Sequence, residues 1–329
     1  MFNFLENVQK GGITSVVKKF SRANNPFMHD YKPEEPTKYI MYLDSNALYS
    51  AIMCLPLPYA DFRWENPEGF DIFQQNDPEI GHFIECDLEI PKKFHELYSD
   101  YPFLPTKETI NGQKKLLATL HDKEKYSLHI ENLKMAVKHG IVLKKIHRVL
   151  SFKQKPFLKP YIEKNTELRI AATNDFQKNF YKLMNNIIFG RSFLNKRKYI
   201  SFKLVGSWES AERYIAKNRY HRTIIFSKNL VGIHIKQEKI TLDTLPYLAS
   251  AILDLSKKQM QEYHYEFILP NLRANFIYTD TDSLIYEIFS NIYDFINSNI
   301  QMFDTSGYPE GNIHGIPRVN AKIPLNYRR

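Results

Sequence analysis

The chain has 329 residues, 43% of them hydrophobic and 25% charged, long enough for a sizeable core and, by length, about two domains, which excludes a short peptide or a disordered tail. Lys plus Arg number 45 against 36 Asp plus Glu, a net charge of +9 with a pI near 9.2, so the protein is either merely soluble and basic or built to meet a polyanion such as nucleic acid or an anionic membrane; the 14% aromatic content favours nucleic acid, because bases stack on rings while cations hold phosphates. Only Cys54 and Cys86 occur, without paired spacing, which excludes a disulfide framework or zinc knuckle and suits a reducing, intracellular compartment.

In chain order, MFNFLENVQKGG places Glu6 and Gln9 where a signal peptide needs an apolar core, and no run of about 18 apolar residues follows anywhere, so neither secretion nor a membrane partner is expected. YKPEEPTK, Tyr31 to Lys38, is a Pro-rich, charged connector ahead of YIMYLD, a continuous apolar strand that ends on Asp44. SNALYSAIM reads as a short helix before the breaker Pro56-Leu57-Pro58, GHFIECDLEI (Gly81 to Ile90) as an alternating strand, and KLLATL (Lys114 to Leu120) as another. SLHIENLKMAVKHG predicts a helix stopped by Gly140, and IVLKKIHRVLSF returns as strand. A helix-rich block spans roughly Phe157 to Arg191, a hairpin Thr223 to Ile235, and a long helix Tyr247 to Phe267. Separate blocks of strand and helix predict an α+β fold.

Two stretches carry chemistry. In NFIYTDTDSLIYEIF, Phe276 and Tyr278 enter and Leu284, Tyr286 and Ile288 leave with period two, which places Asp280-Thr281-Asp282 at the tip of a hairpin. That tip lacks the Gly or Asn of ordinary two-residue turns, and two like charges so close repel unless a cation, most naturally a divalent metal, neutralises them. In NDFQKNFYKLMNNIIFGRS, Lys178, Lys182 and Asn186 recur every fourth residue on one helix face, opposite an apolar stripe of Phe176, Phe180, Leu183 and Ile187 that is expected to be buried. The polar face is either a solvated surface or a pair of ammonium groups spaced for two phosphates.

Three stretches, in order, resemble the motifs of B-family DNA polymerases, most closely the protein-primed group of viruses and Polinton-like elements. YLDSNALYSAI is similar to Asp-x-x-Ser-Leu-Tyr-Pro, KLMNNIIFG to Lys-x-x-x-Asn-Ser-x-Tyr-Gly, and YTDTDS to Tyr-x-Asp-Thr-Asp-Ser, while KGGI at Lys10 to Ile13 resembles a Gly-Gly segment ahead of the first motif. The resemblance implies a right-hand palm, an antiparallel sheet with helices, plus helical fingers and an α/β insertion, with no thumb or exonuclease domain. The implied layout is a pre-palm segment 1–37, palm 38–60, an insertion 61–155 similar to a terminal-protein-interacting region, fingers 156–195, a connecting hairpin region 196–236, palm 237–303 and a tail 304–329.

The same resemblance implies that Asp44 and Asp282 hold two Mg2+ ions with Asp280 as a supporting acid. It implies that Lys178, Lys182 and Asn186 contact the incoming dNTP, and that Tyr49 packs under its sugar as a steric gate, though a tyrosine on a helix, read alone, is more commonly an ordinary core residue. Gly11, Gly12, Tyr278, Thr281 and Gly190 are the implied contacts to a DNA primer-template, and a terminal priming protein is a further implied partner, at the nucleus or another site of viral or element replication. Ala47, Ser50, Ile187 and Phe189 depart from the motifs' Ser, Pro, Ser and Tyr; none removes an acid. The expected activity is DNA-directed DNA synthesis by a truncated polymerase core, the alternative a catalytically silent DNA-binding remnant. A metal-dependent glycosyltransferase would share the Asp-x-Asp pair but leave Lys178, Lys182 and Asn186 without a purpose.

Overall fold

The computed structural model describes residues 1–328, which form two compact units, one of residues 1–189 and 246–328 and one of residues 190–245. The first unit opens with α1 (Phe2–Val8), β1 (Thr14–Val16), β2 (Tyr39–Ser45), α2 (Leu48–Ile52), β3 (Leu57–Glu65), β4 (Ile80–Glu89) and α3 (His95–Tyr98). It continues with β5 (Thr106–Ile110), β6 (Gln113–Leu117), β7 (Lys123–His129), α4 (Ile130–Lys138), β8 (Val142–Lys155), α5 (Lys159–Ala171) and α6 (Asp175–Ser192), whose last turn enters the second unit. The second unit holds β9 (Ile200–Val205), α7 (Trp208–Ile215), β10 (Tyr220–Ser227) and β11 (Leu230–Lys236). The first unit then resumes with α8 (Pro246–Glu262), α9 (Leu269–Asn271), β12 (Ala274–Asp280), β13 (Ser283–Ile288), α10 (Ile292–Ser298), β14 (Phe303–Asp304) and β15 (Tyr327–Arg328).

The central sheet runs β1-β12-β13-β2-β15-β14, antiparallel except between β14 and β15. Side-chain parity along β2 decides which residues face the core. Tyr39, Met41, Leu43 and Ser45 of β2 point inward, so Asp44 emerges on the other face. A four-stranded antiparallel sheet β3-β8-β4-β7 and the ribbon β5-β6 follow β2 and α2 in sequence. The mixed α+β class expected from the sequence is the one observed. In the second unit, β10-β11-β9 is a small antiparallel sheet covered by α7 around Ala211, Val231, Ile233 and Ile235.

Two expectations are corrected. The stripe on α6 is not buried: Phe176 is 80% exposed and Leu183 59%, because the hairpin of α5 and α6 turns inward through Asn185, Ile188 and Phe189 instead. The long helix after Tyr247 is not uniform. It is α-helical to Glu262 and then widens into a π-helical turn, Tyr263–Ile268, which aims His264 at the Tyr286 hydroxyl, 2.8 Å away, and stacks Tyr263 on Tyr327 with ring centroids 3.4 Å apart. Those contacts tie α8 to β13 and β15.

Helix α8 also carries buried charge. Lys257 Nζ donates to the carbonyls of Lys10 and Leu253, each at 2.8 Å, and lies 3.8 Å from Asp254, whose Oδ2 accepts the His129 amide at 2.7 Å. Lys10 Nζ donates to Ser127 O at 2.7 Å and sits 3.9 Å above the Tyr126 ring. Burial pushes Lys10 down to about 7 and Lys257 to about 8, against the opposing pull of Asp254. The unfolded chain therefore holds protons between pH 7 and 10 that the folded chain releases, so stability rises with pH across that window and the cost of the buried charges is full below it. The urea midpoint is expected to increase from pH 7 to pH 9 by the equivalent of about 3 kcal/mol, and Lys10→Met should flatten that slope; a slope unchanged in the variant would remove Lys10 from this role.

Candidate functional site

The acidic hairpin owes its shape to a neighbour, not to its own turn residues. Thr281 has a left-handed φ of +58°, uncommon for a β-branched residue, and its amide donates to Ile13 O at 2.9 Å. A Cβ on Gly12 would stand 2.2 Å from Thr281 Oγ1, so only glycine permits this approach. Asp280 pairs with Thr14 across β1 and β12, and its Oδ1 accepts from the Thr14 hydroxyl at 2.7 Å. The Gly-Gly segment thus buttresses the tip that carries both acids.

Asp44 faces that tip. It is the register partner of Ser283, and the Ser45 amide donates to Asp282 O at 2.8 Å, so carboxylates from opposite ends of the chain meet at one end of the central sheet. Asp44 and Asp282 line a cavity of about 460 Å³ with Tyr49, Lys182 and Asn186. Burial raises the Asp282 carboxyl, the charges of Asp44 and Asp280 raise it further, and Lys182 opposes them. The Tyr42 hydroxyl donates to Asp44 Oδ2 at 3.1 Å. Burial, then Asp282 and Asp280, push Tyr49 up to about 12, and its ring stacks on Phe189 at 4.4 Å, a contact that needs no hydroxyl on Phe189. Ala47, at the turn into α2, is left-handed with φ +51°.

Not every predicted residue reaches the cavity. Asp280 bonds Thr14 instead, and Lys178 pairs with Asp175 at 3.2 Å on the outer part of α6. Gly11 lies beside the buttress with open space around it, Tyr278 pairs with Ile285 and Val16 within the sheet, and Gly190 opens the second unit. Conversely, Arg169, Lys322 and Arg328 line the cavity and were missed. Arg169 lies on α5, and its Nε is buried without a hydrogen-bond partner, the state of a donor shaped for an anion. The AATND connector between two helical patterns was the available signal, since a helical hairpin lays one helix on the other. Nothing local marks Lys322 or Arg328.

Among the described residues no three acids or imidazoles gather into a closed cage. The donor set is two carboxylates beside cations, which fits Mg2+, an ion held by one or two carboxylates together with substrate phosphates. No described helix is long and apolar enough to cross a membrane.

A family model described as DNA polymerase type B, organellar and viral, matches residues 28–270. Among solved structures, the chain is similar to phi29 DNA polymerase in an orthorhombic crystal form, with a TM-score of 0.57 and 17% identity over 86% of this chain and 43% of that one. It is similar to the same polymerase with primer-template DNA and with primer-template DNA plus incoming nucleotide substrates, each with a TM-score of 0.53 and 18% identity over 86% of this chain and 42% of that one. The chain therefore spans less than half the length of these polymerases, and at such identity the likeness is one of fold. No curated protein sequence matches it.

Proposed function

Because the chain belongs to the organellar and viral type B DNA polymerases, we propose that it performs DNA-directed DNA synthesis, adding dNMP to a primer 3′ hydroxyl, or to the hydroxyl of a priming protein, at a site of viral or element replication. The observation that carries this reading is the convergence of Asp44 and Asp282 on one cavity with Lys182, Asn186 and Tyr49. In this reading the central sheet is the palm, α5 and α6 are the fingers, and the β3-β8-β4-β7 sheet stands where protein-primed polymerases carry a terminal-protein-interacting region.

The primer oxygen attacks the α-phosphorus in line, the bond to pyrophosphate breaks, and the hydroxyl proton passes to solvent. Asp44 and Asp282 would hold two Mg2+ ions, which supply charge stabilisation at the attacking and leaving oxygens. Lys182 and Arg169 bind the triphosphate and offset its charge, Asn186 lines the nucleotide's side of the pocket, and Tyr49, braced by Phe189, fills the space a ribose 2′ hydroxyl needs. Asp280 fixes the hairpin through Thr14 rather than touching the substrate, and Lys178 contributes to the field at longer range. Gly11, Gly12, Tyr278, Thr281 and Gly190 remain assigned to the primer-template path.

Single-nucleotide extension of a primer-template with Mg2+ tests this directly. The chain should add the templated dNTP and discriminate against the ribonucleotide, and Tyr49→Ala should raise relative ribonucleotide incorporation by about tenfold or more, since a clash and not a contact is being removed. Salt-sensitive DNA binding without any extension would identify a silent remnant, and an unchanged sugar preference would return Tyr49 to the core.

A further inference from the structure

Beyond the helix α6 face, the cavity has a second cationic wall, supplied by residues 320–328. In β15, Arg328 is the register partner of Asp44 and Tyr327 that of Ser45. Tyr327 is buried and stacked on Tyr263, so alternation turns Arg328 to the face that carries Asp44. The preceding loop is built with unusual backbone: Asn320, Lys322 and Leu325 are left-handed, with φ of +61°, +58° and +65°. Such conformations persist in non-glycine residues only where surroundings over-determine them, and they concentrate at functional sites.

The surroundings here are explicit. The buried carboxylate of Asp304 accepts from Asn46 Nδ2 at 2.7 Å, from the Lys322 amide at 2.9 Å and from the Ser306 hydroxyl at 2.6 Å. Asn46 in turn donates its amide to Asn326 O at 2.9 Å and accepts from the Leu325 amide at 3.0 Å. Asn46 lies between Asp44 and Tyr49 in the chain, so Asp304 locks the cationic loop to the same turn that presents the acid and the aromatic gate. Lys322 and Arg328 line the cavity together with Arg169 and Lys182.

We propose that Lys322 and Arg328 form a second phosphate-binding arm for the triphosphate of the incoming nucleotide, held in register by Asp304 and complementing Arg169 and Lys182. The assignment rests on the polymerase reading. An ammonium and a guanidinium fork are complementary to phosphate oxygens as point charge and bidentate donor respectively, and the loop that carries them is strained into place by hydrogen bonds to the first motif and not by packing alone.

The test is binding of dATP and dAMP to the full chain with Mg2+, alongside the salt dependence of primer-template affinity. The double variant Lys322→Ala, Arg328→Ala should bind dATP about tenfold more weakly or worse while dAMP binding is unchanged, because only the triphosphate tail reaches the arm. Single Lys322→Met and Arg328→Met variants, which keep the apolar stems, should each show part of that loss, and Lys322→Arg should restore dATP binding. If Lys182→Ala weakens dATP and the double variant does not, the arm is refuted and the polymerase reading stands. If neither variant changes dATP binding, both fall. A salt slope of DNA affinity lowered by about 2 in the double variant with dATP unaffected would overturn the proposal by assigning the pair to DNA phosphates.

Discussion

Asp282→Asn is expected to lower Mg2+-dependent nucleotide incorporation by at least about a thousandfold, because a metal ligand is worth several kcal/mol in the transition state and each 1.36 kcal/mol is tenfold. The fold should not suffer. Asp282 is partly buried against Asp44 and its carboxyl is raised by burial and by that neighbour, so in the metal-free chain its ionised form is a cost that appears as pH rises through the raised pKa and is relieved below the unfolded value. Asn removes the cost, and the thermal midpoint of the metal-free variant at pH 7 should equal or exceed that of the parent. Asp280→Asn should be milder, since Asp280 spends its Oδ1 on Thr14. Full activity in Asp282→Asn, or a collapse of its midpoint, would remove Asp282 from the metal site.

Gly12→Ala should cost on the order of a hundredfold in rate. The added Cβ would lie 2.2 Å from Thr281 Oγ1, 2.7 Å from its Cγ2 and 2.8 Å from its Cβ; rotating the threonine side chain cannot move its own Cβ, so the hairpin tip must shift. A displacement of about 1 Å at a catalytic group is enough for a loss of that size. Thr281→Gly should relieve both the clash and the left-handed strain, so the double variant Gly12→Ala, Thr281→Gly is expected to recover most of the activity, a coupling read from a double-mutant cycle on the extension rate. Additive losses would show that the Gly-Gly segment does not position the acids.

Sequence by itself determined the α+β class, the strand that ends on Asp44, the hairpin with Asp280 and Asp282 at its tip and the helix that carries Lys182 and Asn186, because each rests on a local period or a short motif. It misjudged the cover over α6. Period 3.6 shows that Phe176, Phe180, Leu183 and Ile187 share a face, but which face is buried depends on what other segments lie against it, and Phe180, Leu183 and Ile187 are 46%, 59% and 53% exposed. Only the tertiary structure decided that Gly12 holds Thr281 in its left-handed turn, that Asp304 locks residues 320–328 onto Asn46, and that Arg169, Lys322 and Arg328 join Lys182 around the cavity. These are contacts between segments distant in the chain, made by steric exclusion and hydrogen bonds that carry no periodicity, and so no spacing along the sequence records them.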